Sequence, residues 1–254
     1  IEKLGVRNAM IFQEPIASLN PLLTVGRQIE EAYRTHAKSE GRKVDAAEAR
    51  KVALAAMERV RITDVERRHG QFPFELSGGM CQRIMIASAL VTDPDLLIAD
   101  EPTTALDATI QLQVLNLIRE LRSSLSMSVI IVTHDLGVVA DVADRVVVMY
   151  AGAVVETGSV DEIFARPRHP YTRKLLDVVT AMDVGRPKAT LPTIEGTVLS
   201  PFQDIGGCRF QPRCDRAIET CLTQVLPLVP TDGASGHSCA CWATNAPAKA
   251  KVPA

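Results

Sequence analysis

The chain has 254 residues, 46% apolar and 23% charged, a globular composition that excludes disorder over most of its length. Its 28 Lys and Arg nearly balance 30 Asp and Glu, leaving a formal net charge of -2 and no basic excess with which to coat a nucleic-acid backbone. The longest apolar runs, such as Val146–Val155, reach about half of the ~20 residues a membrane-spanning helix needs, and Ile1–Phe12 lacks the pattern of a secretory signal. A cytosolic chain is expected, and its first residue, Ile rather than Met, suggests a piece of something longer.

In chain order, Met10-Ile11-Phe12 reads as a strand end, broken at Gln13-Glu14-Pro15 because proline lacks a backbone donor. Between Val25 and about Glu75, Ala49, Val52, Ala53, Ala56, Met57 and Val60 step at three and four residues, the spacing of a buried helix face, so a small helical subdomain is expected. Leu96–Ala99, Val129–Thr133 and Val146–Tyr150 are continuous apolar runs separated by helical patterns, as strands of a parallel sheet covered on both faces would be. Asp107 is an N-cap before a helical stripe of Ile110, Val114, Leu117, Ile118, Leu121 and Leu125, and a hairpin is expected where Ala151-Gly152-Ala153 separates two apolar runs. The class is α/β. After Gly158, prolines at 167, 170, 187, 192, 201 and 212 mark a loop-rich region with a short helix around Thr172–Val179.

Chemistry-bearing residues recur at the ends of these runs. Leu76-Ser77-Gly78-Gly79-Met80-Cys81-Gln82-Arg83 opens an apolar helix with an N-cap serine and two glycines, either a phosphate site at a helix N-terminus or a plain serine cap. Asp100-Glu101 ends an apolar strand, where an Asp can hold Mg²⁺ and a neighbouring carboxylate can orient or deprotonate water; the alternative is a solvated turn. His134-Asp135 ends the next strand, placing an imidazole to contact a phosphate oxygen or water, or a structural histidine followed by a helix cap.

Taken as a set, these segments closely resemble the nucleotide-binding subunit of an ATP-binding cassette (ABC) transporter, a P-loop NTPase-type fold. Ile11–Pro15 is similar to the glutamine loop, Leu76–Arg83 to the signature motif, Leu97–Glu101 to the Walker B strand, Ala105-Leu106-Asp107 to the D-loop, and Thr133-His134-Asp135 to the switch histidine. The resemblance covers Ile1 to roughly Gly158. Ser18-Leu19-Asn20-Pro21, His169-Pro170-Tyr171-Thr172 and Gly207–Cys214 further resemble the oligopeptide and dipeptide importer branch, in which a nickel importer is the alternative. The implied organisation is residues 1–24 for the strand end and glutamine loop, 25–92 for the helical subdomain with the signature, 93–158 for the α/β core, and 159–254 for the branch-specific region.

The resemblance implies a catalytic set of Glu101, His134 and Gln13, with Glu101 polarising the attacking water, His134 contacting the γ-phosphate of ATP, and Gln13 and Asp100 attending Mg²⁺. Ser77, Gly78, Gly79 and Gln82 of the signature, with Asp107, would face nucleotide across a dimer of two cassettes, homo- or heterodimeric. Cys81 departs from the family's usual basic or amide residue, with a mild effect expected. Transmembrane permease subunits are the implied partners, an extracytoplasmic substrate-binding protein an indirect one, and the cytoplasmic face of the inner membrane the location; no nucleic acid is expected. A soluble cassette protein acting on nucleic acid or ribosomes is the rival reading, disfavoured because neither a second signature nor a sustained heptad is present. A non-hydrolysing metal-binding or interaction fragment is the third.

No G-x-x-x-x-G-K-[ST] run occurs in the 254 residues, so the phosphate-cradling loop and lysine are missing from them. The expectation is a chain truncated at its N-terminus, with a sheet that exposes an edge and a face and a site inactive by itself; the alternative is a naturally degenerate subunit that lends only its signature motif. Of six cysteines, Cys81 stands alone, while Cys208, Cys214, Cys221, Cys239 and Cys241 crowd the last fifth of the chain. Cys208, Cys214, Cys221 and Cys241 are the expected ligands of a [4Fe–4S] cluster, which the branch resemblance implies, or of zinc; free thiols and Cys239 as the fourth ligand stay open. The motive for a staple is that Phe202, Phe210, Leu222, Leu226, Leu228 and Trp242 are few apolar anchors for so long a tail.

Overall fold

The computed structural model describes residues 8–104, 106–183, 193–197, 206–231 and 236–245. Ala105 of the D-loop, Phe202 and the prolines at 187, 192 and 201 lie outside the described residues. The chain divides into two compact units, Ile1–His134 and Asp135–Ala254.

The first unit runs β1 (Asn8–Ile11), α1 (Pro15–Ser18), α2 (Val25–Ser39), α3 (Ala46–Arg59), α4 (Val65–His69), α5 (Gly78–Leu90), β2 (Leu96–Asp100), α6 (Ala108–Leu125) and β3 (Ser128–Val132). The strands form a parallel sheet in the order β1-β2-β3, with Ile11 opposite Ala99 and Ala99 opposite Ile131. Helix α5 buries Cys81, Gln82, Ile84, Met85, Ile86, Ala87 and Leu90, which together leave no wholly polar face, as befits a helix enclosed by its neighbours. Helix α6 is one-sided: Val114, Leu115, Leu117, Ile118 and Leu121 are buried, and Asp107 caps its start by accepting from the N–H groups of Thr109 and Ile110 at 3.0 Å each. Apart from Gln82 and Leu115, these side chains join Ile11, Leu97 and Ala99 in one core, where each fully buried aliphatic group contributes about 1.5–3 kcal/mol. The opposite sheet face is less covered: Met10 and Ile130, which flank Ile98 in register, are 42% and 50% exposed.

The second unit contains α7 (Leu136–Val142), β4 (Arg145–Tyr150), β5 (Ala153–Ser159), α8 (Val160–Ala165), α9 (Pro170–Asp183), α10 (Thr220–Thr223), β6 (Val229–Pro230), β7 (Ser238–Cys239) and α11 (Trp242–Asn245). Its sheet, in the order β4-β5-β7-β6, is antiparallel throughout. This corrects the expectation for Val146–Tyr150, which does not join the parallel strands. It pairs instead with β5 across a two-residue link, where Ala151 and Gly152 both take positive φ, 47° and 81°, the pattern of a tight hairpin. The expected hairpin is there. Val148, Tyr150, Val155, Ile163 and Phe210 form the core of this unit, with Phe210 edge-on to Tyr150 at 5.1 Å between ring centroids.

Candidate functional site at the strand ends

Sheet register builds the site. Because Ile11, Ala99 and Ile131 are level across three parallel strands, the residues two further on, Gln13, Glu101 and Thr133, leave the sheet at the same end, its carboxyl end. That is where ligands bind open α/β sheets. Glu101 there turns out of β2 into a left-handed conformation, φ 44°, while its N–H donates to the carbonyl of Val132 at 2.8 Å. For a non-glycine residue this conformation is uncommon and is concentrated at functional positions.

Three polar side chains meet at the Glu101 carboxylate. Gln13 Nε2 donates to Oε2 at 2.9 Å, Thr104 Oγ1 donates to the same oxygen at 2.7 Å, and His134 Nδ1 lies 3.0 Å from Oε1. The Thr104 hydroxyl and then His134 hold this carboxyl below the usual carboxylate range, so Glu101 is ionised at neutral pH. The His134 side chain is 77% exposed against 22% for Glu101, so the imidazole reaches the site from its solvent side. Asp100, the last residue of β2, is half-buried beside them. Gln13, Glu101 and His134, chosen from sequence, are therefore gathered at one place, with Asp100 next to Glu101 in the chain, whereas Thr104 went unrecognised because a second threonine after a strand-end Pro carries no spacing signal.

The signature residues start α5. Ser77 is its N-cap, its hydroxyl accepting from Met80 N–H at 3.4 Å. The two glycines have different physical roles. A Cβ on Gly79 would come within 2.9 Å of Ile110 Cγ2 on α6, so bareness there lets two helices approach, whereas a Cβ on Gly78 would meet nothing within 4 Å. Gln82 is buried, and its Nε2 has no hydrogen-bond partner among the described residues. Cys81 is wholly buried, its thiol donating to the Pro73 carbonyl at 3.4 Å, and burial pushes its pKa up. Asp107 Oδ1 is occupied as the cap of α6, and Asp135 likewise caps α7, accepting from Gly137 at 2.9 Å and Val138 at 3.2 Å.

In the second unit, Cys208, Cys214, Cys221 and Cys241 line one cavity of about 80 Å³, shared with His169 and Trp242. Cys239 is absent from that lining among the described residues. It hydrogen-bonds to Cys241, and this bond keeps the Cys239 proton on while lowering Cys241 to about 6. Burial raises Cys208 and Cys214. Among the described residues no three His, Cys, Asp or Glu side chains gather closely enough to hold a metal ion. The His169 ring is 1% exposed, its Nδ1 accepts from Tyr171 N–H at 3.1 Å, and its Nε2 has no partner among the described residues. The tail is also tied without metal: Phe210 is a core residue, β7 is a sheet strand, and His237 reaches Glu156 at 2.8 Å. The count of apolar anchors included Phe210 but missed the other two ties, which are polar or backbone contacts.

The ABC transporter family matches residues 1–104, and the oligopeptide/dipeptide transporter C-terminal region matches 155–221. The chain is 50% identical over 235 residues to a "Putative peptide import ATP-binding protein" of Brucella abortus (strain 2308), covering 92% of this chain and 68% of that protein. It is 50% identical over 244 residues to a "Probable peptide ABC transporter ATP-binding protein" of Sinorhizobium fredii, covering 96% and 70%. Among solved structures, the dimeric ATP-binding cassette MJ0796 bound to ADP and Pi aligns with a TM-score of 0.53 at 28% identity, over 61% of this chain and 63% of that one. CbiO1 of Clostridium perfringens, part of the ABC transporter complex cbiONQ, aligns at 0.54 and 31%, over 65% and 61%. No helix among the described residues is long and apolar enough to cross a membrane. With its strand-end carboxylate, glutamine and histidine on the cassette fold, the chain belongs to the ATP-binding proteins of ABC transporters, in the group that carries the oligopeptide/dipeptide transporter C-terminal region.

Proposed function

We propose that this chain is the ATPase subunit that energises import of oligopeptides or dipeptides. The observation that carries the reading is the Glu101 carboxylate, ionised and held by Gln13 and His134 at the carboxyl end of a parallel sheet. The donor set suits Mg-ATP: carboxylate and amide oxygens are ligands for a hard cation, and the Ser77-capped start of α5 would offer backbone N–H groups to a phosphate. Asp100 and Gln13 would hold Mg²⁺. Bound Mg-ATP supplies the phosphoanhydride and neutralises charge on its oxygens. Glu101 accepts a hydrogen bond from water and orients it, His134 turns its imidazole to the γ-phosphate, and Ser77, Gly78 and Gly79 serve the nucleotide of a facing cassette, with Asp107 at the dimer interface. The phosphate-loop lysine is supplied by no residue of this sequence.

The partners follow from this reading: a second cassette subunit, transmembrane permease subunits that the chain meets at the cytoplasmic face of the inner membrane, and indirectly an extracytoplasmic substrate-binding protein. Division of the chain at residues 24, 92 and 158 belongs to the same proposal. For the tail, a [4Fe–4S] cluster on Cys208, Cys214, Cys221 and Cys241 is favoured over zinc. What supports it is the branch resemblance, together with the four cysteines lining one cavity and Cys241 already inclined to its thiolate. The test is uptake of labelled di- and oligopeptides into vesicles holding the assembled transporter. ATP-dependent uptake is expected, and nickel uptake without peptide uptake would replace this reading.

A further inference from the structure

Glu101 is approached from three directions, and only one of its partners is fixed to it by the local backbone. Gln13 and His134 come from the ends of two other strands, β1 and β3. Thr104 lies in the turn that Glu101 itself begins: Thr104 N–H donates to the Glu101 carbonyl at 3.1 Å, and its hydroxyl donates to Oε2 at 2.7 Å. The left-handed backbone at Glu101 aims the carboxylate back over this turn rather than along the strand.

The proposed function gives Gln13 and His134 other work. When the imidazole rotates to put Nδ1 on a phosphate its 3.0 Å contact with Oε1 is given up, whereas contact through Nε2 alone would keep it. The Gln13 amide, when directed at the cation, likewise loosens its hold on Oε2. An ionised carboxylate left without either partner would rotate among rotamers, and a rotating base loses the geometry on which catalysis depends.

We propose that Thr104 is the positioning residue that keeps Glu101 aimed at water after Gln13 and His134 have moved to the nucleotide, its hydroxyl clamping Oε2 and leaving Oε1 to accept from water. This rests on the reading of Glu101 as the water-orienting carboxylate. A threonine suits the task because branching at Cβ restricts χ1, so the hydroxyl is held in place rather than searching for its partner.

The test measures steady-state ATP hydrolysis by the transporter assembly whose cassette carries this chain with a phosphate-loop segment placed upstream in frame, with Thr104→Val, Thr104→Ser and Glu101→Gln compared side by side. Thr104→Val keeps the shape and removes the donor; it is expected to lower kcat by about tenfold or more with KM for ATP changed less than about twofold. Thr104→Ser is expected to retain most of the turnover. Wild-type kcat in Thr104→Val, an equal loss in Thr104→Ser, or a rise in KM with kcat unchanged would overturn the proposal. If Thr104→Val melts out at assay temperature, Thr104→Ala takes its place with the same criteria. A Glu101→Gln variant that hydrolyses normally overturns the reading of Glu101 and this proposal with it, while an inactive Glu101→Gln beside a fully active Thr104→Val overturns the role of Thr104 alone.

Discussion

Gln13 and Glu101, 88 residues apart in the chain, are joined side chain to side chain at 2.9 Å because the parallel register of β1 and β2 sets them level. The glutamine is a donor here, and its amide faces an ionised oxygen. Replacing it with a second carboxylate, Gln13→Glu, brings two acids together that cannot both ionise at that distance. Turnover at neutral pH is expected to fall by at least about tenfold, with the pH profile moved upward as Glu101 takes up a proton more readily. A full pH–rate profile of the two forms checks this, and superimposable profiles would show that the contact has no part in catalysis.

The 254-residue chain by itself is expected to bind Mg-ATP more weakly than about 1 mM and to hydrolyse none, since no residue in it supplies the phosphate-cradling loop. Calorimetric titration measures this directly. Placing a phosphate-loop segment upstream in frame should bring binding into the micromolar range.

The second unit has a buried polar centre whose removal is expected to be costly. Glu156 is fully buried and accepts from the N–H groups of Arg168 at 2.6 Å and His169 at 2.9 Å, besides its contact with His237. Glu156→Ala leaves these donors buried and unpaired, a loss of about 3–5 kcal/mol, read as a lowered midpoint in urea unfolding.

His169 gives the same unit an acid sensitivity. Burial lowers its pKa to about 4, from an ordinary value near 6.5, so the unfolded chain binds the proton first as pH falls. Stability is thus retained above about 6.5 and declines between about 6.5 and 4, by roughly 3 kcal/mol from this group. Urea midpoints across that range should fall less in His169→Gln than in the unchanged protein.

In the tail, Cys241→Ser is expected to abolish a metal centre and Cys239→Ser to preserve it, since Cys241 lines the cavity and Cys239 instead hydrogen-bonds to it. Iron, zinc and visible absorption after anaerobic purification check the assignment. A colourless protein without either metal refutes the site.

Much of this was legible in sequence because it is periodic or local. The α6 stripe with its Asp107 cap and the strand-end acids follow from spacing alone. What was not legible depended on connections. Val146–Tyr150 has the same apolar run as a parallel strand, and only its pairing with β5 across the positive-φ link of Ala151 and Gly152 places it in another sheet. Thr104 was invisible because its partner is set by an unusual backbone angle at Glu101, and Glu156 because alternation alone does not distinguish a buried acid from an outward-facing one.

The most direct measurement of the central claim is ATP hydrolysis and ATP retention by the assembled transporter whose cassette carries this chain with a phosphate-loop segment placed upstream in frame and Glu101→Gln. The amide keeps the shape of the side chain but cannot serve as an anionic acceptor for water. Turnover is expected to drop by about a hundredfold or more while ATP stays bound and a closed dimer accumulates. Hydrolysis at the unsubstituted rate would contradict the account.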